Sequence, residues 1–161
     1  MKYLDMEGLA YFWEKIKNTN IAKNIIAIGL SSNVTKTISS AWVGATVDMN
    51  TLKYRIGNKL TFENGKIKVG AGVSNLMISG NCMVKGIVGD IFVQLKKNDT
   101  IISQGYYRPT VNSYFGTIGL TQQPIEVAEG DVISLVVGSS VAGTLTVAGT
   151  NYTWITAEVI S

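Results

Sequence analysis

The sequence predicts an all-β protein, an antiparallel sandwich of about eight to ten strands that follows one short amphipathic helix. Apolar and polar residues alternate at a period of two in several segments after residue 40. Such alternation is typical of strands with one buried face. Glycine or asparagine separates these segments, as expected of turns. A helical period occurs only near the N terminus.

The predicted helix covers Leu4–Lys17. Its apolar residues recur at i, i+3, i+4 and i+7, which places them in one stripe. They are Leu9, Phe12, Trp13 and Ile16. Because an isolated helix of about 14 residues is marginal in water, we expect the stripe to pack on a partner surface. That surface is either the chain's own domain or another chain, and we favour the second.

The segment after the helix is expected to connect it to the β region. Ile25–Ile28 fits either a continued helical stripe or a short strand. Gly29–Ser40 is rich in Ser, Thr and Asn, which favours a loop or an extended connector. We therefore divide the chain near residue 40. Residues 1–40 would be a helix and linker for anchoring or trimerisation, and residues 41–161 a head domain.

The first predicted strands lie between residues 43 and 84. Val43–Met49 alternates apolar with small or polar residues. Leu60–Phe62 and Lys66–Val69 flank Asn64-Gly65, and an Asn-Gly pair between such segments is the strongest short hairpin signal. Leu76–Val84 alternates over a longer stretch and predicts a longer strand.

A second hairpin is predicted over Gly89–Tyr107. Its first strand has a buried set and an outward set of side chains. The buried set is Ile91, Val93 and Leu95, and the outward set is Phe92, Gln94 and Lys96. Asn98 and Asp99 tolerate the positive φ that a tight turn needs.

Three further strands are predicted at Tyr114–Thr121, Val132–Val137 and Tyr152–Ile160. The second is almost continuously apolar, as a strand covered on both faces would be. Gly138–Gly149 is built from small residues, which favours a flexible loop. Alternation within Thr144–Val147 also fits a short strand there.

Composition limits the chemistry. The chain has 161 residues, no histidine and one cysteine. Without histidine there are no His-ligated metal sites and no imidazole catalysis. Cys82 is in phase with apolar neighbours, so we expect a buried small hydrophobe. Only 16% of residues are charged while 46% are apolar, which suggests that another subunit covers part of the surface.

Positive charge is concentrated between Lys53 and Lys68, where five cations accompany one anion. A single-stranded nucleic-acid groove would also carry interleaved aromatics and arginine. This stretch offers few of either, so we expect a solvated strand face and no nucleic-acid partner. No run of 18 uninterrupted apolar residues occurs, so we expect no membrane insertion.

Three landmarks in the second half of the chain resemble the trimeric jelly-roll family of tumour necrosis factor and the complement globular heads. They are the apolar strand that ends in Lys-Asn at Ile91–Asn98, the Gly-Asp turn entering a strand at Val127–Leu135, and the closing strand Tyr152–Ile160. Their order and spacing carry the resemblance. It implies an antiparallel jelly-roll sandwich and a homotrimer.

A second resemblance concerns the N-terminal segment. Tyr3–Lys17 is similar to the leader of small structural proteins of phages and prophages, where it precedes a variable distal domain. A helical leader before a trimeric β head is the layout of a virion fibre or spike. The resemblance implies that the helix contacts other virion proteins.

Carboxylates are the remaining catalytic candidates. Glu126, Glu129 and Asp131 lie near one turn. A glycosidase needs two carboxyl groups across a sugar cleft, so we expect no enzyme here and no cofactor. Asp131 fits better as an acceptor for turn backbone. Calcium, which prefers oxygen ligands, is a lesser alternative.

Aromatic residues are the more informative group. In a three-fold jelly roll one sheet of each subunit faces the axis, and aromatics there would supply an apolar interface. Sandwich core and a sugar-stacking platform are the alternatives. The aromatics in or beside the predicted strands are Tyr106, Tyr107, Tyr114, Phe115, Tyr152 and Trp154, and the last four are the interface candidates.

We therefore expect a non-enzymatic, homotrimeric phage virion protein, a head fibre, tail fibre or spike component. It would be made in the bacterial cytoplasm and located in the virion, with the host surface as a further contact. The alternative is a prophage or bacterial carbohydrate-binding or adhesion module whose partner is a surface glycan.

Overall fold

The computed structural model describes residues 24–161, which form thirteen strands in two antiparallel sheets and contain no helix. The first seven strands are β1 (Ile25–Gly29), β2 (Val34–Ile38), β3 (Gly44–Val47), β4 (Thr51–Ile56), β5 (Leu60–Glu63), β6 (Lys66–Val69) and β7 (Asn75–Lys85). The other six are β8 (Ile91–Lys97), β9 (Thr100–Tyr107), β10 (Gly116–Glu126), β11 (Val132–Ser139), β12 (Gly143–Val147) and β13 (Trp154–Val159).

Sheet A has seven strands and is organised around β7. On one side β7 pairs with β10 along most of its length. On its other side it pairs with β13 and, near its end, with β12. The sheet continues from β13 to β1 and β4, and from β12 to β2.

Sheet B has six strands and is organised around β11. One side of β11 pairs with β8, which pairs with β9. The other side pairs with β3 and β6, and β6 pairs with β5. The two sheets make the antiparallel sandwich expected of a jelly roll.

One apolar core lies between the sheets. Sheet A contributes Ile78 and Ile155, and sheet B contributes Leu95 and Leu135, all fully buried. Burying a Leu or Ile side chain contributes about 1.5–3 kcal/mol. The alternation predicted for β7, β8 and β13 matches the residues that the core buries.

Turn residues fix the register of the two predicted hairpins. Asn64 and Gly65 both adopt positive φ, at 48° and 76°, as a two-residue type I′ turn requires. Asn98 adopts φ 53°, which an asparagine tolerates well. Both hairpins, β5–β6 and β8–β9, are therefore confirmed.

The segment predicted as connector contributes strands to sheet A. Ile25–Gly29 forms β1, which is the strand alternative for that segment. Val34–Ile38 forms β2, where we expected a loop or an extended connector. Backbone pairing with β13 and β12 stabilises these short strands.

The predicted helix Leu4–Lys17, with its stripe, lies outside the described residues. In residues 24–161, no helical segment is long and apolar enough to span a membrane.

Candidate functional surfaces

The acidic turn before β11 is fastened to the β8–β9 hairpin. Asp131 accepts hydrogen bonds from the Ala128 N–H at 2.9 Å and from the Asn98 side-chain amide at 2.8 Å. The Asn98 side chain accepts the Val132 N–H at 3.0 Å. These contacts, the Ala128 bond first, hold the pKa of Asp131 below its usual range. The prediction that Asp131 bonds to turn backbone is confirmed.

The other carboxylates of this turn do not form a centre with Asp131. Glu126 and Glu129 are exposed. Among the residues that the structure describes, no three acidic or cysteine side chains lie close enough to hold a metal ion. The turn also bonds to the β5–β6 hairpin, since the Val69 N–H donates to the Asp131 carbonyl and the Gly130 N–H to the Val69 carbonyl, each at 2.9 Å. It therefore joins two hairpins of sheet B.

Cys82 is buried in the core and has no exposed surface. Burial raises the pKa of its thiol to about 12, and the hydrogen bond from Thr153 opposes this only in part. The thiol is therefore protonated near neutral pH and is a poor nucleophile. The prediction of a buried small hydrophobe is confirmed.

The basic stretch lies on β4, β5 and β6, and several of its cations bind oxygens of the chain itself. The Lys53 ammonium donates to the Thr150 carbonyl at 2.8 Å. Lys68 pairs with Glu63 at 3.1 Å, which lowers the pKa of that carboxyl group. These contacts fit the predicted solvated strand face.

Sheet A has an extended outward face whose middle is free of charge. We call it the sheet A face and define it by the outward residues of β10, β7, β13, β1 and β4. They are Thr117, Gly119, Glu126, Asn75, Met77, Ser79, Asn81, Met83, Lys85, Trp154, Thr156, Glu158, Ile25, Ala27, Gly29, Lys53, Tyr54 and Ile56.

The middle of the sheet A face is weakly polar. Strand register places Thr156 between Ser79 and Ala27. Trp154 lies in the next row, beside Asn81. The charged members of the face lie toward its margins: Glu158 and Glu126 near one end, Lys85 at the other end, and Lys53 at the β4 edge. Such a surface loses little charge hydration when another protein surface covers it.

The predicted interface aromatics lie on or beside this face. Trp154 belongs to it and is half-buried. Tyr152 is exposed just before β13, where its carbonyl accepts the Asn81 amide at 2.6 Å. Phe115 lies 4.6 Å below the Lys85 ammonium at the end of β7, and Tyr114 beside it is largely exposed. Their role in an interface stays a prediction.

Sheet B carries a different outward surface, which we call the aromatic platform and define as Trp42, Phe92 and Tyr106. The Trp42 and Phe92 rings are stacked, with centroids 6.2 Å apart and planes 9° apart. Trp42 is 58% exposed and Phe92 only 4%. Tyr106, opposite Phe92 in the β8–β9 register, is 62% exposed.

A row of amides adjoins the platform. Gln94 and Gln104 are opposite each other on β8 and β9, and the Gln94 amide donates to the Gln104 carbonyl oxygen at 2.7 Å. Gln104 in turn donates to the Tyr106 hydroxyl. Gln94 is almost buried and Gln104 is exposed. We call this pair the amide row.

Beyond the amide row, the same sheet has an open depression of about 340 Å³ between the ends of its hairpins. Its lining is polar and mixed in charge. It consists of Glu63, Asn64, Lys66, Lys68, Asn98, Asp99, Val132 and Ser134.

Sequence patterns indicated the outward position of Phe92 and Gln94 but not the platform. Trp42 lies in a loop without alternation, so its neighbours in sequence reveal no role. It meets Phe92 only because β3 and β8 both flank β11. An isolated tryptophan before a Gly-containing strand was the one available signal.

Comparison with solved structures shows a TNF-like fold. The crystal structure of murine APRIL at pH 5.0 superimposes with a TM-score of 0.64 at 8% identity, covering 86% of this chain and 99% of that one. The structure of Eiger TNF from S. frugiperda gives 0.63 at 8% identity, covering 86% and 92%. At such low identity the likeness shows the fold alone. No protein-family model and no curated protein matches the sequence.

Proposed function

We propose that this chain is a non-enzymatic, homotrimeric structural protein whose β head is displayed on a phage virion as part of a fibre or spike. The sheet A face carries the proposal. Its middle is weakly polar and uncharged, and its charged residues lie toward the margins, as in a subunit interface with a polar rim. The landmark strands resemble a family of trimers, and the TNF-like fold supports that assembly.

The chemistry of the chain supports a non-enzymatic role. Histidine is absent from the sequence. Cys82 is buried and protonated near neutral pH, and Asp131 is engaged by turn backbone. The Cys82 thiol is therefore buried and the Asp131 carboxylate is hydrogen-bonded within the fold, so neither is presented to a substrate.

The virion setting is supported by the resemblance of Tyr3–Lys17 to phage leaders. In this proposal the stripe Leu9, Phe12, Trp13 and Ile16 anchors the head to other virion proteins or to sister chains. Electron microscopy of particles that carry a tag on this chain tests the setting. Label at fibres or spikes is the expected result, and particles without label would contradict it.

Charge placed on the sheet A face tests the interface. A Cβ added at Gly119 meets open space within one chain, so Gly119→Arg is expected to leave the subunit folded. Thr156→Arg puts a charge at the centre of the face. Both variants are expected to release monomers, because a buried unpaired charge is costly.

Thr100→Arg is the matched control, since Thr100 is exposed at the β8–β9 hairpin of the other sheet. The Thr100→Arg variant should keep the mass of the native assembly. Circular dichroism should show β structure in all three variants. Full assembly of both sheet A variants would exclude this face as the interface.

A further inference from the structure

We propose that the outward face of sheet B binds an uncharged saccharide through the aromatic platform and the amide row. This inference goes beyond the assembly proposed above and uses the opposite sheet. The two proposals can therefore fail separately.

The backbone at Trp42 is held in an unfavourable conformation. Its φ is 62°, and the left-handed region is unfavourable for an L residue because Cβ comes too close to the following carbonyl oxygen. The Trp42 N–H donates to the Ser139 carbonyl at 2.7 Å, which extends the β3–β11 pairing and maintains this backbone. The indole nevertheless remains mostly in solvent. A strained residue that presents an aromatic ring indicates a binding role rather than a packing role.

The sheet holds the platform rigid from below. The Phe92 ring lies over Gly138, where an added Cβ would overlap it. Gly44 is opposite Gly138 on β3, so two neighbouring strands both leave room for the ring. Phe92 is thus fixed, and Trp42 stacks on a fixed ring. Such preorganisation reduces the ordering cost of binding.

The amide row supplies hydrogen bonds at the edge of the platform. Residues on one face of a strand are about 6.8 Å apart at two-residue spacing, so Gln104 lies one row from Tyr106. Sugars have apolar C–H faces that stack on aromatic rings and hydroxyl groups around their edge. A pyranose stacked on the platform would direct its hydroxyls toward the exposed Gln104 amide and the Tyr106 hydroxyl.

The surroundings favour an uncharged ligand. One row of this face consists of Tyr106, Phe92, Gly138 and Gly44, and the next of Gln104, Gln94, Val136 and Thr46. Neither row contains a charged side chain. The cations of this sheet lie beyond them: Lys66 and Lys68 line the depression, Lys96 lies in the row after the amide row, and Arg108, on the other side of the platform, is paired with Asp90. An acidic polysaccharide would find no cation at the platform itself.

Titration of the full chain with uncharged oligosaccharides tests the proposal. The panel contains α- and β-linked oligomers of glucose, galactose, mannose and N-acetylhexosamines. Calorimetry and tryptophan fluorescence measure the binding of each oligomer. We expect saturable binding of at least one oligomer at millimolar concentration or below. No binding across the panel would overturn the proposal.

Variants locate the binding. Trp42→Gly removes the indole and relaxes the left-handed backbone, so the fold should persist while binding is lost. Tyr106→Ala and Gln104→Ala should each weaken binding by about tenfold, since a ring contact or a hydrogen bond contributes about 1 kcal/mol or more. Val111→Ala is the control, because it removes an exposed apolar side chain that belongs to neither the platform nor the sheet A face.

Three further results would overturn the proposal. One is binding of the same strength in Trp42→Gly and in the unaltered protein. Another is binding of acidic glycans alone. The third is dissociation of the assembly in Trp42→Gly, which would place the platform in a subunit interface.

Discussion

At the scale of single residues, Cys82 shows how the core determines chemistry. Its thiol is surrounded by the apolar interior, and the accompanying hydrogen bond from Thr153 is long, at 4.0 Å. Desolvation therefore controls its pKa, which rises to about 12. A thiol in this state contributes to packing and not to reactivity.

We expect the native protein to resist thiol reagents at mildly alkaline pH, because the reactive thiolate is scarce and the sulfur is inaccessible. The measurement is colour release by a disulfide reagent. Unfolded protein is the control and should release one equivalent per chain, since the sequence has one cysteine. Rapid reaction of the native protein would contradict the burial of Cys82.

Asp131 links stability to pH. Its pKa is lowered from 3.8 in the folded chain, so its ionised form is the one that the fold stabilises. The ionised Asp131 makes its full contribution to the free energy of unfolding above the ordinary carboxyl range. That contribution is lost as pH falls through the lower pKa of the folded state. Asp131→Asn should reduce the free energy of unfolding by about 1–3 kcal/mol at neutral pH.

The measurement for this variant is urea unfolding at several pH values. The difference from the unaltered protein should shrink as pH falls below the ordinary carboxyl range, and it should vanish only below the lower folded pKa, where the native carboxyl group is neutral too. Glu129→Gln is the control from the same turn and should change stability little, because its side chain is exposed. A difference independent of pH would show that the Asp131 charge is unimportant.

At the scale of elements, β11 joins the two halves of sheet B and depends on a glycine. Gly138→Ala places a Cβ in the Phe92 ring, so the ring and Trp42 above it must move. Overpacking of this kind typically costs about 1–3 kcal/mol. We expect that loss in urea unfolding, together with a change in Trp42 fluorescence.

Gly119→Ala is the matched control, because its added Cβ meets open space in a strand of similar geometry. It should leave the stability of the subunit nearly unchanged. Equal effects of the two substitutions would contradict the close packing of Phe92 on Gly138.

Elements governed by local chemistry could be predicted from the sequence. The Asn64-Gly65 turn and the alternation in β8 need only neighbouring residues to be recognised. β4 was harder to predict, because its apolar residues Leu52, Tyr54 and Ile56 are exposed and it lies in a charged stretch. β2 is short and rich in Thr, and pairing with a distant strand, β12, gives it its structure.

The surfaces were less predictable than the strands. Asp131 was recognised as a turn acceptor because its partner Ala128 is close in sequence. Trp42 was not recognised, because its contact with Phe92 and the space at Gly138 arise from strand order. The charge of the sheet A face could be counted only after the register of five strands was known.

At the scale of the whole molecule, the two sheets present surfaces of different chemistry. The sheet A face is broad and weakly polar, which suits a permanent contact between subunits. The platform on sheet B is small and combines aromatic rings with amides, which suits a ligand. In an assembly built on sheet A, the platform of each subunit would remain accessible.

The mass of the unmodified protein in solution tests the central claim most directly. Sedimentation equilibrium or light scattering at micromolar concentration should give three times the chain mass of 17.3 kDa. The value should persist on dilution, because an extensive interface dissociates slowly. A stable particle of 17.3 kDa under these conditions would contradict the trimer.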